Sequence, residues 1–451
     1  MTWIRVAAAM PPGGVFSGPT RASGFSLYWN PAAVAASPEG YQTHVEATLS
    51  VAHLTYARAG LDPNTGAAFE SVGFWTPGPD LAITLASPVL FDHLRFVGGV
   101  FCPTALATDW PEEGPQRYFG TRSMFITGAA VLGPVLQLGD TFGAAMVAGP
   151  MYGFLRLNTA LDLGAFVNGK LPAGSPLLPL EDPLLESHEH VKADAWSLMT
   201  GFGAWVRPVP WARFGLGLLL PRGFYLRGTA TVDTSESLQR ALPGFNLAPE
   251  GKVEVRYPMP WQASAEGEVQ LGLYKAAVLF QYTRKSRQRA IFATVTEATP
   301  KFIEGRQLSV KGAHDDWLVG VRLGREVRDD LELAARVDYD PRYIPDETVH
   351  PVNLDYTQID AGLGAFWRLS PRLAMTFSYS FIYLQPFTVT TSIYRPSAPP
   401  ESGLGLPSAN GDYGGMAHTL SVGLEGMFGA PPPPPPPELL NDLLPVSEDS
   451  Q

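Results

Sequence analysis

The run Ser187-His188-Glu189-His190 places two imidazoles and a carboxylate within three residues, the ligand types of a transition-metal site. No further His or Cys stands nearby to complete a coordination shell, so the run reads as a polar loop tip and no metal is expected. Hydrolysis would call for a Gly-x-Ser-x-Gly elbow or a His-Glu-x-x-His helix, and nucleotide chemistry for a phosphate loop. The sequence carries none of them. Cys102 is the single cysteine, which removes an internal disulfide framework and reads as a small core residue. His418 falls on an apolar strand face without a nucleophile beside it. The chain is therefore read as a non-enzyme that needs no cofactor.

Composition narrows what elements could carry a function. Among 451 residues there are 46 glycines and 43 prolines, about one residue in five, which would interrupt nearly every long helix. Charged residues make up only 17%, while 45% apolar content is enough to bury a core. The net charge of −11 gives no electrostatic footprint for nucleic acid. No run approaches 18 uninterrupted apolar residues, so no transmembrane helix is expected. Residues 1–10 hold one Arg and a short Ala run, less than a full signal-peptide core.

Alternation decides the fold class. Trp317, Val319, Val321 and Leu323 alternate with small or polar residues, and Leu331, Leu333, Ala335, Val337 and Tyr339 repeat the pattern after the turn 326–330. Ile359 to Leu369 and Leu373 to Tyr383 make a second such hairpin about Ser370-Pro371-Arg372. Val45, Ala47, Leu49 and Val51 begin the series, and a strand from about His418 to Phe428 ends it. Tight turns near 208–211, 326–330 and 370–372 alternate with long excursions near 59–80, 153–193, 234–262, 341–356 and 396–411. That sorting of short and long loops belongs to an outer-membrane barrel. The expectation is an all-β, transmembrane antiparallel β-barrel of about 14 strands. Trp205, Trp211, Phe214, Trp367 and Tyr383 would form its interfacial girdles.

Five motifs in order over most of residues 13–428 then make the chain resemble the FadL family of outer-membrane transporters for long-chain fatty acids and other hydrophobic compounds. The first is Gly24 to Ala35, with Asn30-Pro31-Ala32 similar to the family's hatch motif. The second is Gly98-Gly99-Val100-Phe101-Cys102-Pro103, similar to its glycine-rich third strand. Segments 256–284 and 317–357 follow, the latter with Arg322-Leu323-Gly324 and Tyr339-Asp340-Pro341, and Gly411-Asp412-Tyr413 leads into the last strand. The resemblance implies a hatch (1–41) plugging a barrel (42–428). It also implies capture by apolar extracellular loops and sideways release through a gap at the third strand, marked by Gly98, Gly99 and Pro103. Asn30, Pro31 and Ala32 would lie against that gap.

The loop 153–193 concentrates Leu177, Leu178, Leu180, Leu184 and Leu185, the expected ligand-binding surface or, alternatively, a lid over the mouth. Arg156 and Lys170 are the basic candidates at the mouth for an anionic head group. Arg322 and Arg336 could project into the lumen, where pairing with barrel acids is the more ordinary fate. Residues 429–451, with the run Pro431 to Pro437, read as a disordered spacer or as a docking peptide for a periplasmic partner. Partners otherwise expected are a hydrophobic small molecule, the lipid bilayer and lipopolysaccharide, around a monomer. The rivals are an open porin for polar solutes and a structural barrel without cargo.

Overall fold

A computed structural model describes residues 12–36, 40–168, 174–234, 240, 250–299, 305–394 and 409–429. Antiparallel strands form one closed sheet. In chain order they are β1 (Tyr41–Arg58), β2 (Val72–Ala86), β3 (Leu94–Asp109), β4 (Arg122–Leu138), β5 (Phe142–Asp162) and β6 (Glu186–Val209). Four interrupted strands follow: β7 (Ala212–Pro221, Phe224–Thr234), β8 (Glu250–Tyr257, Gln262–Leu271), β9 (Tyr274–Thr283, Ala290–Thr299) and β10 (Gly305–Val310, Asp316–Arg328). The last four are β11 (Leu331–Asp340), β12 (Gln358–Ser370), β13 (Leu373–Val389) and β14 (Gly411–Phe428). Pairing of β1 with β14, from Tyr41↔Phe428 to Arg58↔Gly411, closes the ring at 14 strands.

The period-2 pattern has the orientation expected of a barrel in lipid. Leu49, Leu81, Val321, Leu323, Leu333, Leu363, Tyr379 and Leu420 face outward and are exposed, while their neighbours Thr48, Ala82, Arg322, Ser380 and Thr419 are buried inside. Tyr152 and Trp196 pack at 5.1 Å on the outer face, and Trp317 and Tyr339 at 5.7 Å, near the long-loop end. Trp205 departs from the expected girdle: it is buried in the lumen, where its indole N–H donates to the Thr20 carbonyl.

Strands run further into the long excursions than the sequence suggests. The connections are 59–71, 163–185 and 341–357, and a further one at 110–121 was not anticipated. Ser187–His190 belongs to β6, not to a loop tip. Alternation there sends His188 and His190 to one face and buries Glu189 on the other, so the three cannot share a metal; His190 instead lies 3.2 Å from Asp233. The four interruptions lie side by side at 222–223, 258–261, 284–289 and 311–315. Pro258 and Pro260, which cannot donate to a ladder, mark one of them.

Residues 12–36 lie inside the barrel. They hold α1 (Ser26–Trp29) and a 3₁₀ turn (Pro31–Ala36), nearly all buried.

Candidate functional site: lumen, hatch and an open seam

The hatch is fastened to inward-facing polar side chains. Gly14 N–H donates to Glu46 Oε1 at 2.7 Å, and the Thr20 N–H and hydroxyl both donate to Glu266 Oε2 at 2.9 and 2.6 Å. Arg322 donates to the Phe16 carbonyl and to Glu268, while Arg336 donates to the Ser17 carbonyl and to Asp338. Both arginines project into the lumen, as the alternation allowed, and are spent on holding the hatch and on barrel acids. Buried carboxylates and guanidiniums satisfied this way act as fixed clips, because losing either member strands a charge.

Wall glycines let the hatch backbone come close. A Cβ at Gly217 would stand 1.6 Å from the Trp29 carbonyl oxygen, and one at Gly203 would stand 2.1 Å from Asn30 Oδ1. Asn30 donates to the carbonyls of Pro19 and Ala204 at 2.8 and 2.9 Å, and its own oxygen accepts from Ala32 N–H. The Asn30-Pro31-Ala32 turn thus rests on β6 instead of the third strand. The hatch meets β3 through other residues: Tyr28 packs edge-on to Phe101 at 6.3 Å, and Val34 accepts from Arg95.

One seam of the wall differs from the rest. β2 pairs with β3 only from Ile83↔Val100 to Ala86↔Val97, although both strands are long. Above Val100, β3 carries a bulge at Cys102-Pro103, seen as a register shift against β4 between Phe101 and Thr104. β2 carries Pro77 and Pro79, two residues apart, so both remove a backbone donor from the same strand edge. The result is a window between β2 and the upper half of β3. Its top is spanned by Phe74 and Trp110, with ring centroids 4.5 Å apart, and Trp110 Nε1 donates to the Pro351 carbonyl.

Gly98 and Gly99 do not themselves open the ladder; they are paired on both sides and form the foot of the window. Gly99 has φ +154°, and a Cβ there would stand 1.9 Å from the Ile83 carbonyl oxygen, so only glycine lets β2 close on β3 at that point. Of the three residues marked for the gap, Pro103 is the one at the interruption, within the strand and not at its end, and Cys102 is half-buried at the bulge and not in the core.

Between hatch, window and roof lies a cavity of about 120 Å³. Its floor is Pro12 and Tyr28, one wall is Pro103 to Leu106 of β3, and another is Leu219, Met259 and Leu318. Gln262, Lys285, Asp316, Asp340 and Tyr343 make the polar side. Overhead, Phe125 of β4 stacks on Tyr257 of β8 at 4.0 Å, closing the lumen across four strands. Of these polar residues only Asp340 was named in a sequence motif, and none was assigned to a luminal site, because they come from three strands, one interruption and the 341–357 connection, which only ring closure brings together.

The leucine-rich connection includes α2 (Leu163–Asn168) and is pinned from below. Arg58 grips Glu181 through two bonds of 2.9 and 2.7 Å, Asp162 accepts from Glu181 N–H, and Asn168 exchanges two bonds with the Leu178 backbone. Leu177, Leu178 and Leu184 are exposed on it, and Leu180 and Leu185 are half-buried. Arg156 turns away from the lumen: Leu155 and Leu157 pack inward, and Arg156 stands on the outer face opposite Lys192. Lys170 lies outside the described residues, as does the Pro-rich tail beyond 429.

No protein-family model matches this sequence, and no curated protein does. Solved structures do match in fold. A Pseudomonas aeruginosa FadL homologue aligns with a TM-score of 0.77 at 16% identity, covering 92% of this chain and 97% of its own. The P. putida toluene transporter TodX aligns at 0.65 and 14%, covering 90% and 94%, and the Ralstonia pickettii toluene transporter TbuX at 0.60 and 14%, covering 91% and 98%. The chain has the fold of FadL-type outer-membrane transporters, in agreement with the resemblance drawn from its motifs.

Proposed function

We propose that this chain is an outer-membrane channel for passive uptake of hydrophobic small molecules, working as a monomer in a lipopolysaccharide-faced bilayer. Leu177, Leu178 and Leu184 offer an apolar surface for capture at the long-loop end. Cargo passes into the luminal cavity and leaves sideways between β2 and β3. The observation that carries this reading is that the bulged stretch Pro103 to Leu106 both lines the cavity and edges the window.

The physical case rests on water. Each methylene exposed to water costs about 0.8 kcal/mol, so an apolar solute gains from a side exit into lipid and gains nothing from an aqueous pore. A polar-solute porin fits less well, because residues 12–36 fill the lumen and are clipped to its wall. The likeness to toluene transporters adds support at the level of fold.

The test is uptake by porin-deficient cells expressing the chain with an export signal. Labelled toluene should enter faster than in cells without the chain, and labelled glucose should not. Free glucose entry would replace this reading with the porin.

A further inference from the structure

The four strand interruptions carry a group of cations on the outside of the wall. In β9 the interruption reads Arg284-Lys285-Ser286-Arg287-Gln288-Arg289, its middle four residues forming a 3₁₀ turn (Lys285–Gln288). Side chains three apart eclipse in such a turn, so Lys285 and Gln288 share the inward side while Arg284 and Arg287 share the outward one. Gln288 is buried and donates to the Pro258 carbonyl at 3.0 Å, and Lys285 lines the cavity. Arg284, Arg287 and Arg289 are exposed, and so is Arg222 in the interruption of β7, two strands away. The backbone that presents them is held on both sides. Arg284 N–H donates to the Trp261 carbonyl at 2.9 Å, and the Arg289 carbonyl accepts from Lys311 and Gly312 N–H at 2.8 and 3.1 Å.

Height places this group at the edge of the bilayer. Below it, the ten residues of Tyr274–Thr283 rise about 25 Å in a tilted strand, the height of the apolar band of such barrels. Their outward side chains Tyr274, Val278 and Phe280 are exposed. Trp261 and Tyr282, 5.3 Å apart, and Trp317, in register with Tyr282, form the interfacial girdle just beneath the arginines. Above them the outward residues of β8 turn charged, as Arg256, Glu254 and Lys252.

Nearby cations on this face are matched to acids, Arg227 to Glu254 at 3.1 Å and Lys252 to Glu297 at 2.5 Å. No carboxylate among the described residues lies within ion-pair distance of Arg222, Arg284, Arg287 or Arg289. Asp315 stands close, and its two oxygens accept from the Tyr282 hydroxyl and the Ser286 N–H. In a chain of net charge −11, four unmatched guanidiniums at headgroup level fit an anion supplied by the membrane.

We infer that these arginines dock the phosphorylated headgroup of lipopolysaccharide, the glycolipid of the outer leaflet. The guanidinium fork meets a phosphate bidentately, and a headgroup with two phosphates engages two or more of the arginines at once. The inference rests on the outer-membrane reading above and adds a fixed lipid site to it.

The experiment is native mass spectrometry of the purified, folded full chain in a maltoside detergent, titrated with diphosphoryl lipid A, monophosphoryl lipid A and phosphatidylglycerol. Diphosphoryl lipid A should bind most tightly and phosphatidylglycerol least. Arg284→Gln, Arg287→Gln and Arg289→Gln together should weaken diphosphoryl lipid A roughly a hundredfold, each cation at a membrane surface being worth about fivefold. Arg222→Gln alone should cost about fivefold. A second triple at the short-turn end, Arg325→Gln, Arg328→Gln and Arg372→Gln, makes the same charge change at exposed positions and should bind as the parent does. Equal losses in the two triples would overturn the site, since net charge alone would then be read. Phosphatidylglycerol bound as tightly as diphosphoryl lipid A, or no lipid A bound by the folded parent, would also overturn it, and all three outcomes leave the uptake reading standing. Recovery of the expressed chain in the inner-membrane fraction would overturn the outer-membrane reading and the lipid site with it.

Discussion

The β5–β6 seam and the β2–β3 seam are each built from two long strands yet behave oppositely. β5 and β6 stay in register from Phe142↔Val206 to Asp162↔Glu186, and β2 and β3 pair at four positions. Glycine serves both but differently. Along β6 and β7, Gly203 and Gly217 leave room for the hatch, whereas Gly99 lets β2 and β3 close beneath a window. A closed sheet can concentrate its weakness in one place because its remaining seams share the ladder bonds. The lesson is that opening here comes from a bulge and two prolines set against a rigid frame, not from a flexible wall.

The largest expected effect separates the two uses of glycine. Gly217→Val would drive a side chain into the Trp29 carbonyl and should cost about 3 kcal/mol or more, unseating the hatch and admitting glucose in liposome-swelling assays. Gly99→Val should cost about as much, from its positive φ and the clash with the Ile83 carbonyl, but with faster amide exchange confined to residues 83–86 and 97–100 and glucose still excluded. Identical leak from both would erase the distinction.

A smaller effect concerns the top of the window, held by the 341–357 connection through Trp110 and Pro351. Burial pushes the Asp355 carboxyl up to about 7, against donation from the Tyr343 and Ile344 N–H groups, and pushes the His350 imidazole down to about 3, with Lys311 adding to it. His350 therefore contributes stability above its unfolded value of about 6.5 that is lost as pH falls toward 3. Asp355 contributes stability below about 4 that is lost as pH rises through 7. The two oppose each other between about pH 4 and 6.5. In His350→Phe only the Asp355 trend remains, so exchange protection of 341–357 should decline steadily from pH 4 to 7. A profile unchanged from the parent would show that His350 is not coupled to the loop.

Much of the barrel was legible because period-2 alternation is local: each strand announces which face meets lipid. The Arg322 and Arg336 pairings were legible for the same reason, as cations on the inward parity among inward acids. Pro103 was readable as a break, since proline cannot continue a ladder. The seat of Asn30-Pro31-Ala32 on β6 was not, because it depends on glycines some 170 residues away. Arg156 failed for a simpler reason: one step of parity puts it outside. The polar lining of the cavity was not legible, because ring closure alone sets Gln262, Lys285, Asp316 and Asp340 side by side.

The claim that cargo leaves through the β2–β3 window is tested most directly by deleting Pro103. Combined with Pro77→Val and Pro79→Val, which return the donors on the β2 edge, the deletion removes the one extra residue between Phe101 and Thr104 relative to β4, so β3 can run beside β2 along its upper half. Toluene uptake by cells carrying the folded, outer-membrane-inserted variant should fall to the level of cells without the chain. Undiminished uptake through a folded barrel lacking the bulge would contradict sideways release.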